Sequence, residues 1–128
     1  MMPGGLTTFL APRVYLYGQA VDMRRSFDGL MAIVQAELQR DVRDGELFVF
    51  INRRADRLKA LWWDGDGLAI FMKRLECGTF QRPASNDSDR YLLIDRVQLG
   101  LLLSGIELSS VRRRKRYQVE QRGSHGSS

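Results

Sequence analysis

The chain has 128 residues, 44% of them hydrophobic, a formal net charge of +5, one cysteine and one histidine. That length fits one domain around a small core. A lone Cys77 excludes an internal disulfide framework and a cysteine zinc cluster, and a lone His125 leaves almost no material for a histidine-dependent triad. A single thiol fits a reducing compartment, no apolar run approaches the roughly 20 residues of a membrane span, and the start "MMPGGLTTFLAPR" lacks the basic region and long apolar stretch of a secretory signal. The expectation is a cytoplasmic protein with no membrane partner.

Residues 1–12 read as irregular, broken by Pro3, Gly4, Gly5 and Pro12. "RVYLYG" (Arg13 to Gly18) combines β-branched and aromatic residues and predicts a short strand. In "SFDGLMAIVQAELQRDV" the apolar Phe27, Leu30, Met31, Ile33, Val34 and Leu38 recur at helical spacing. A helix is therefore expected over about Ser26 to Arg40, with Ser26 as N-cap, Gly29 weakening its first turn and "RDG" at Arg43 to Gly45 as its stop.

From Glu46 the period changes to that of strands. "ELFVFIN" (Glu46 to Asn52), "RLKALWWD" (Arg57 to Asp64) and "LAIFMKRLECGTF" (Leu68 to Phe80) predict a three-stranded antiparallel meander. Its turns are "RRAD" and "GDG", and a bulge or break is expected near Cys77 and Gly78. A loop of turn formers follows, Gln81 to Arg90, and then "YLLI" as a last short strand. "DRVQLGLLLSGIEL" predicts a helix capped by Asp95 and ended near Gly105, with Val97, Leu99, Leu101, Leu102 and Leu103 as its apolar side. The fold class is thus α+β: one domain over residues 13–108, an antiparallel sheet of three to five strands with two helices packed on one face, and a basic, flexible tail over residues 109–128.

The net charge sits entirely in that tail. From Arg112 onward, Arg112, Arg113, Arg114, Lys115, Arg116 and Arg122 oppose only Glu120, while residues 1–111 hold 14 basic and 14 acidic side chains. Five consecutive cations, Arg112 to Arg116, have no acid among them and point to a polyanion. Two further basic groups lie in the body. Arg53, Arg54, Arg57 and Lys59 flank one hairpin turn, and Arg24 and Arg25 precede the first helix. Brought to one side they form a phosphate-binding patch; otherwise they are an ordinary solvated hairpin, with Asp56 in the same turn. No helix-turn-helix spacing, zinc-finger pattern or RNA-binding aromatic motif is present.

"WWDGDG" (Trp62 to Gly67) admits two readings. An EF-hand loop counted from Asp64 places Asp66 at position 3, but Leu68 at 5, Ala69 at 6 and Leu75 at 12, so the ligand series stops after two. A tight turn needs only the positive φ that glycine supplies, and that reading is preferred. Because successive strand residues face opposite ways, one of Trp62 and Trp63 packs beneath a helix. The other covers the far face, as an interaction surface or a platform for a base, or simply packed under the Gln81 to Arg90 loop. Asp22, Asp28, Asp64, Asp66 and Glu76 are the acids that could serve two-metal chemistry, and no spacing singles out three of them.

"VDMRRSFDGLMAIV" and "GELFVFINRRADRLKALWWDGDGLAIFMKRLECGTF" closely resemble the TnpB accessory-protein family of the insertion sequence 66 elements. The resemblance spans about Arg13 to Glu107. It implies a role in transposition beside a separate, larger transposase that carries the catalytic acids, and it supplies no catalytic residues, cofactor or metal to this chain. The partners it implies are DNA at the element's ends, the element's transposase and its other accessory proteins. The leading expectation is a non-enzymatic accessory protein that uses Arg24, Arg25, Arg53, Arg54, Arg57, Lys59, the basic tail and one of the two tryptophans. The alternatives are a metal-dependent nuclease built on Asp64, Asp66 and Glu76, and a pure protein-interaction subunit.

Overall fold

The structure, a computed structural model, describes residues 13–82 and 90–105; the expectations for residues 1–12, for most of the Gln81 to Arg90 loop and for the tail with Arg112 to Arg116 lie outside them. In chain order the elements are β1 (Val14–Tyr17), α1 (Phe27–Ala36), a 3-10 turn (Val42–Asp44), β2 (Leu47–Ile51), β3 (Arg57–Trp63), β4 (Leu68–Arg74), β5 (Tyr91–Ile94) and α2 (Arg96–Leu103). They form a five-stranded sheet in the order β4-β3-β2-β1-β5.

The predicted meander is present. β2 pairs antiparallel with β3, and β3 with β4. The sheet is mixed: three of its four strand pairings are antiparallel, as expected, while β1 runs parallel to β2, with Val14 opposite Leu47 and Leu16 opposite Val49. Parallel neighbours need a long crossover, and the α1 segment between the two strands provides it. β5 closes the other edge antiparallel to β1.

Central position explains composition. Every residue of "VYLY" and "LFVFI" is buried, as strands covered on both faces require. Alternation then sorts them into two cores. On one face Tyr15, Tyr17, Phe48, Phe50 and Leu61 meet Leu30, Ile33 and Val34 of α1. On the other, Leu47, Val49, Leu58 and Trp62 meet Leu99 and Leu102 of α2. The helices therefore lie on opposite faces, which corrects the expectation that both pack on one. The reason is area: large apolar side chains project from both sides of the middle strands, and fully burying each contributes about 1.5–3 kcal/mol. Two helices on one side would leave the other core in water.

The helix ends follow local chemistry. Asp95 caps α2 through a reciprocal box, its side chain accepting from the Gln98 N–H at 2.8 Å while the Gln98 side chain accepts from the Asp95 N–H at 3.0 Å. Val97, expected on the apolar side, is 57% exposed. Ser26 occupies the N-cap position of α1 but makes no side-chain cap bond. That helix also stops at Ala36, short of Arg40, because Gln39 turns the chain at φ 54. β4 ends at Arg74, and Gly78 reverses the chain beyond it at φ 79.

One polar cluster is buried beside the α1-side core. Glu46, at the start of β2, is 8% exposed. It accepts from the Tyr15 hydroxyl at 3.2 Å and from Arg40 Nε and Nη2 at 3.1 and 2.9 Å. Arg40 also lies 4.9 Å over the Tyr15 ring, a favourable cation–π distance. Burial, then the Glu46 charge, pushes the Tyr15 phenol above its usual range, so it stays a donor. Removing one member of a buried ion pair strands the other. Glu46→Ala is expected to lower unfolding free energy by about 2–4 kcal/mol in a urea titration. Glu46→Gln, which keeps an acceptor for Tyr15, is expected to lose clearly less.

Candidate anion-binding site

The arginine hairpin is shaped by a residue beside it. Asn52 ends β2, and its Oδ1 accepts from the backbone N–H groups of Asp56 and Arg57, each at 3.0 Å. Its Nδ2 donates to Asp56 Oδ1 at 2.8 Å, the main reason the Asp56 carboxyl lies below its usual range. The Ala55 N–H closes onto the Asn52 carbonyl at 3.0 Å, and Ala55 itself sits at φ 60. The loop is a tight turn with Arg53 and Arg54 at its two central positions, both exposed. On the far side the Ala55 carbonyl accepts from the Phe80 N–H and the Asp56 carbonyl from the Leu75 N–H, at 2.6 and 2.8 Å. The turn is braced on both flanks.

The second basic group is brought to the first by Lys59. Its ammonium donates to the carbonyls of Met23 and Arg25, at 2.9 and 2.8 Å, across 36 and 34 residues of sequence. The residue is 8% exposed. Expected as a surface cation, Lys59 instead ties the segment before α1 to the middle of β3. A buried charge satisfied by two carbonyls is an anchor. The Val21 N–H adds a bond to the Ile51 carbonyl at 3.0 Å. Gly29 helps as well, since a Cβ there would lie 3.2 Å from the Arg25 Cβ.

The result is one cavity of about 810 Å³, and Arg24, Arg25, Arg53, Arg54 and Arg57 all line it. Buried Tyr17, Val21 and Ile33 form its inner wall, with Met72 at its edge. Burial, then Glu37, raises the Tyr17 phenol, so it presents a neutral hydroxyl. The acids of the cavity are Asp22 and Glu37, and each is engaged. Asp22 receives Arg24 Nε at 3.0 Å and Nη2 at 2.6 Å, and hydrogen bonding from Arg24 lowers its carboxyl to about 2. Glu37 lies 3.5 Å from Arg90. Among the described residues, the guanidiniums of Arg25, Arg53, Arg54 and Arg57 make no hydrogen bond or salt bridge.

The other sequence candidates lie elsewhere. Trp62 is 8% exposed and packs on the α2 side, as one of the pair was expected to do. Trp63 is half-buried on the opposite face, at the end of β3 remote from Arg57. "DGDG" is the hairpin turn: the Asp64 N–H meets the Gly67 carbonyl at 2.7 Å, and Gly65 supplies a φ of 85. Asp64 and Asp66 lie at that turn. Glu76 lies past the opposite end of β4, on the order of 20 Å away at about 3.3 Å per strand residue, and pairs with Arg74. The three acids proposed for a nuclease therefore do not converge. The residues that sequence reasoning missed are Asn52, Tyr17 and Met72. Of these only Asn52 had a local signal, an asparagine at the head of a polar turn.

The family described as "IS66 Orf2 like protein" matches residues 12–113. Two similar proteins come from Sinorhizobium fredii. "Uncharacterized protein y4jC" is 35% identical over 102 residues, covering 80% of this chain and 86% of that protein. "Uncharacterized protein y4hO" is 38% identical over 107 residues, covering 84% and 88%. No solved structure matches the chain significantly. The family match runs from just before β1 to beyond α2, and with it the whole described sheet, both helices and the arginine cavity: the chain belongs to the IS66 Orf2-like, or TnpB, family of insertion-sequence accessory proteins.

Proposed function

We propose that this protein is a non-catalytic accessory factor of transposition that holds DNA by its phosphates through the cavity bordered by Arg25, Arg53, Arg54 and Arg57. The observation that carries this reading is the set of four guanidiniums on one cavity that make no salt bridge among the described residues, with Asp56 and Asp22 near them but not paired to them. Arginine forks match phosphate oxygens two at a time. Family membership supplies the setting, in which the element's ends and its transposase are the natural companions. The basic tail adds a further set of cations for the same strand. Phosphate contacts fix position without reading bases, so binding is expected to be strong at low salt and weakly dependent on sequence.

Salt dependence tests the assignment residue by residue. Each phosphate contact removed flattens the plot of log K against log salt by about one unit. The double variant Arg53→Ala/Arg54→Ala is expected to flatten it by about two, while the Asn52-templated backbone keeps the fold. An unchanged slope would leave the tail as the sole contact and remove the cavity from the reading.

Lys59→Met separates positioning from contact. It removes no cavity arginine but frees the Met23 and Arg25 carbonyls, so that Arg25 is no longer held. Unfolding free energy is expected to fall by about 2–3 kcal/mol. DNA affinity should drop as well, with the salt slope falling by no more than the roughly one unit that the Arg25 contact supplies. Unchanged affinity in the destabilised variant would mean that Lys59 does not position Arg25 for DNA.

The pH dependence follows from the groups present. Asp22 has a folded-state pKa of about 2, below its ordinary value of 3.8. The favourable contribution of its pairing with Arg24 is therefore complete above the ordinary value and lost only as pH falls through about 2. Arginines do not titrate in the working range. DNA affinity is expected to be flat between roughly pH 5 and 8, as followed by fluorescence anisotropy at constant ionic strength. A rise toward acid pH would point instead to a histidine contact, for which the chain offers only His125.

A further inference from the structure

The cavity has more than charge. Its mouth is cationic, with Arg25, Arg53 and Arg54 exposed, yet its inner wall is built from buried Val21, Ile33 and Tyr17. Met72, 48% exposed, stands beside it on β4. A phosphate backbone lying across four arginines would satisfy the mouth and leave that wall unused. At about 810 Å³ the space falls in the range of roughly 300–1,000 Å³ typical of small-ligand sites. What combines a flat, largely apolar body with anionic groups on either side is a single nucleotide out of its stack.

We propose that the cavity receives one unpaired nucleotide of a DNA strand, its flanking phosphates held by Arg25, Arg53, Arg54 and Arg57 and its base lying against Met72 and the apolar wall. The proposal rests on the phosphate-binding reading and adds the class of DNA: frayed ends, bulges and single strands ahead of intact duplex. Each part has a chemical counterpart. Guanidinium planes can cover a base face as well as grip phosphate. A methionine side chain is soft and unbranched, and adapts to a flat ring. The Tyr17 hydroxyl, neutral at working pH as a phenol ordinarily is, stands in the wall as a polar group able to meet a base edge. No base identity is specified by this arrangement. The preference is for an accessible nucleotide, not for a sequence.

The test uses the full chain and four fluorescent probes at equal salt: a DNA duplex, the same duplex with a one-nucleotide bulge, the single DNA strand, and the same strand as RNA. The bulged and single-stranded DNA probes are expected to bind at least roughly fivefold tighter than the duplex, the low end of what contact with one base face contributes. RNA binding as tightly as the DNA strand would show that the site takes unpaired nucleotides of either sugar, and would overturn the restriction to DNA. Met72→Ala is expected to narrow the ratio of bulged to intact duplex, and Arg53→Ala to weaken all probes together. Equal affinity for duplex and bulged DNA, lost in the arginine variant, would overturn the nucleotide proposal while leaving phosphate binding standing. No salt-sensitive binding of any probe would overturn both.

Discussion

The candidate site depends on one buried cation. Lys59 projects from the middle of β3 onto a sheet face otherwise filled by Tyr15, Tyr17, Phe48, Phe50 and Leu61. A charge there is costly unless it is fully engaged, and the carbonyls of Met23 and Arg25 engage it. The bond works in both directions. It makes an ammonium tolerable beside an aromatic core, and it fixes a loop with no regular structure against the sheet. Because the same loop carries Arg25 and Asp22, the position of one of the four arginines without a salt bridge follows from a residue that faces inward.

Once that loop is fixed, pairing decides which cations remain available. Several acids are taken by an arginine two positions away: Asp22 with Arg24, Asp41 with Arg43, Glu76 with Arg74. Exposed pairs of this kind add little stability, typically about 0–1 kcal/mol. Their consequence is electrostatic. They cancel charge locally and leave Arg25, Arg53, Arg54 and Arg57, among the described residues, without a salt bridge around one cavity. A body whose first 111 residues carry equal numbers of acids and bases thus still presents a cationic site. Net charge concealed it because balance over a chain says nothing about balance over a surface.

What could be read without coordinates was what is local. Period-two alternation and turn formers announced β2, β3 and β4, and Asp95 as a cap announced the start of α2. Gly65 at positive φ is what "DGDG" implied. The unreadable part was set by partners distant in sequence. Nothing near "VYLY" says that it runs parallel to a strand more than 30 positions on. Nor does any local pattern say that the two helices must divide between two faces. Lys59 looks like any hairpin lysine until Met23 and Arg25 are known to lie above it. Glu46 is similar, since only the fold reveals that Tyr15 and Arg40 surround it. The two basic groups were identifiable as groups. Their convergence was not.

The parallel pairing that sequence reading missed is also what creates the cavity. β1 and β2 end at the same side of the sheet, at Tyr17 and Ile51. From there one chain continues through Ala20 and Val21 toward α1 while the other turns through Asn52 into β3. Two diverging loops leaving adjacent parallel strands open a crevice between them, the position where open α/β sheets commonly hold ligands. In an antiparallel pair those two ends would lie at opposite edges, and Arg24–Arg25 would be a strand's length from Arg53–Arg54. The Val21–Ile51 hydrogen bond holds the crevice at its root, and Lys59 holds its near wall. Topology thus places the arginines, the buried lysine holds the loop that carries Arg25, and local acid pairing decides which guanidiniums around the cavity are left without a salt bridge.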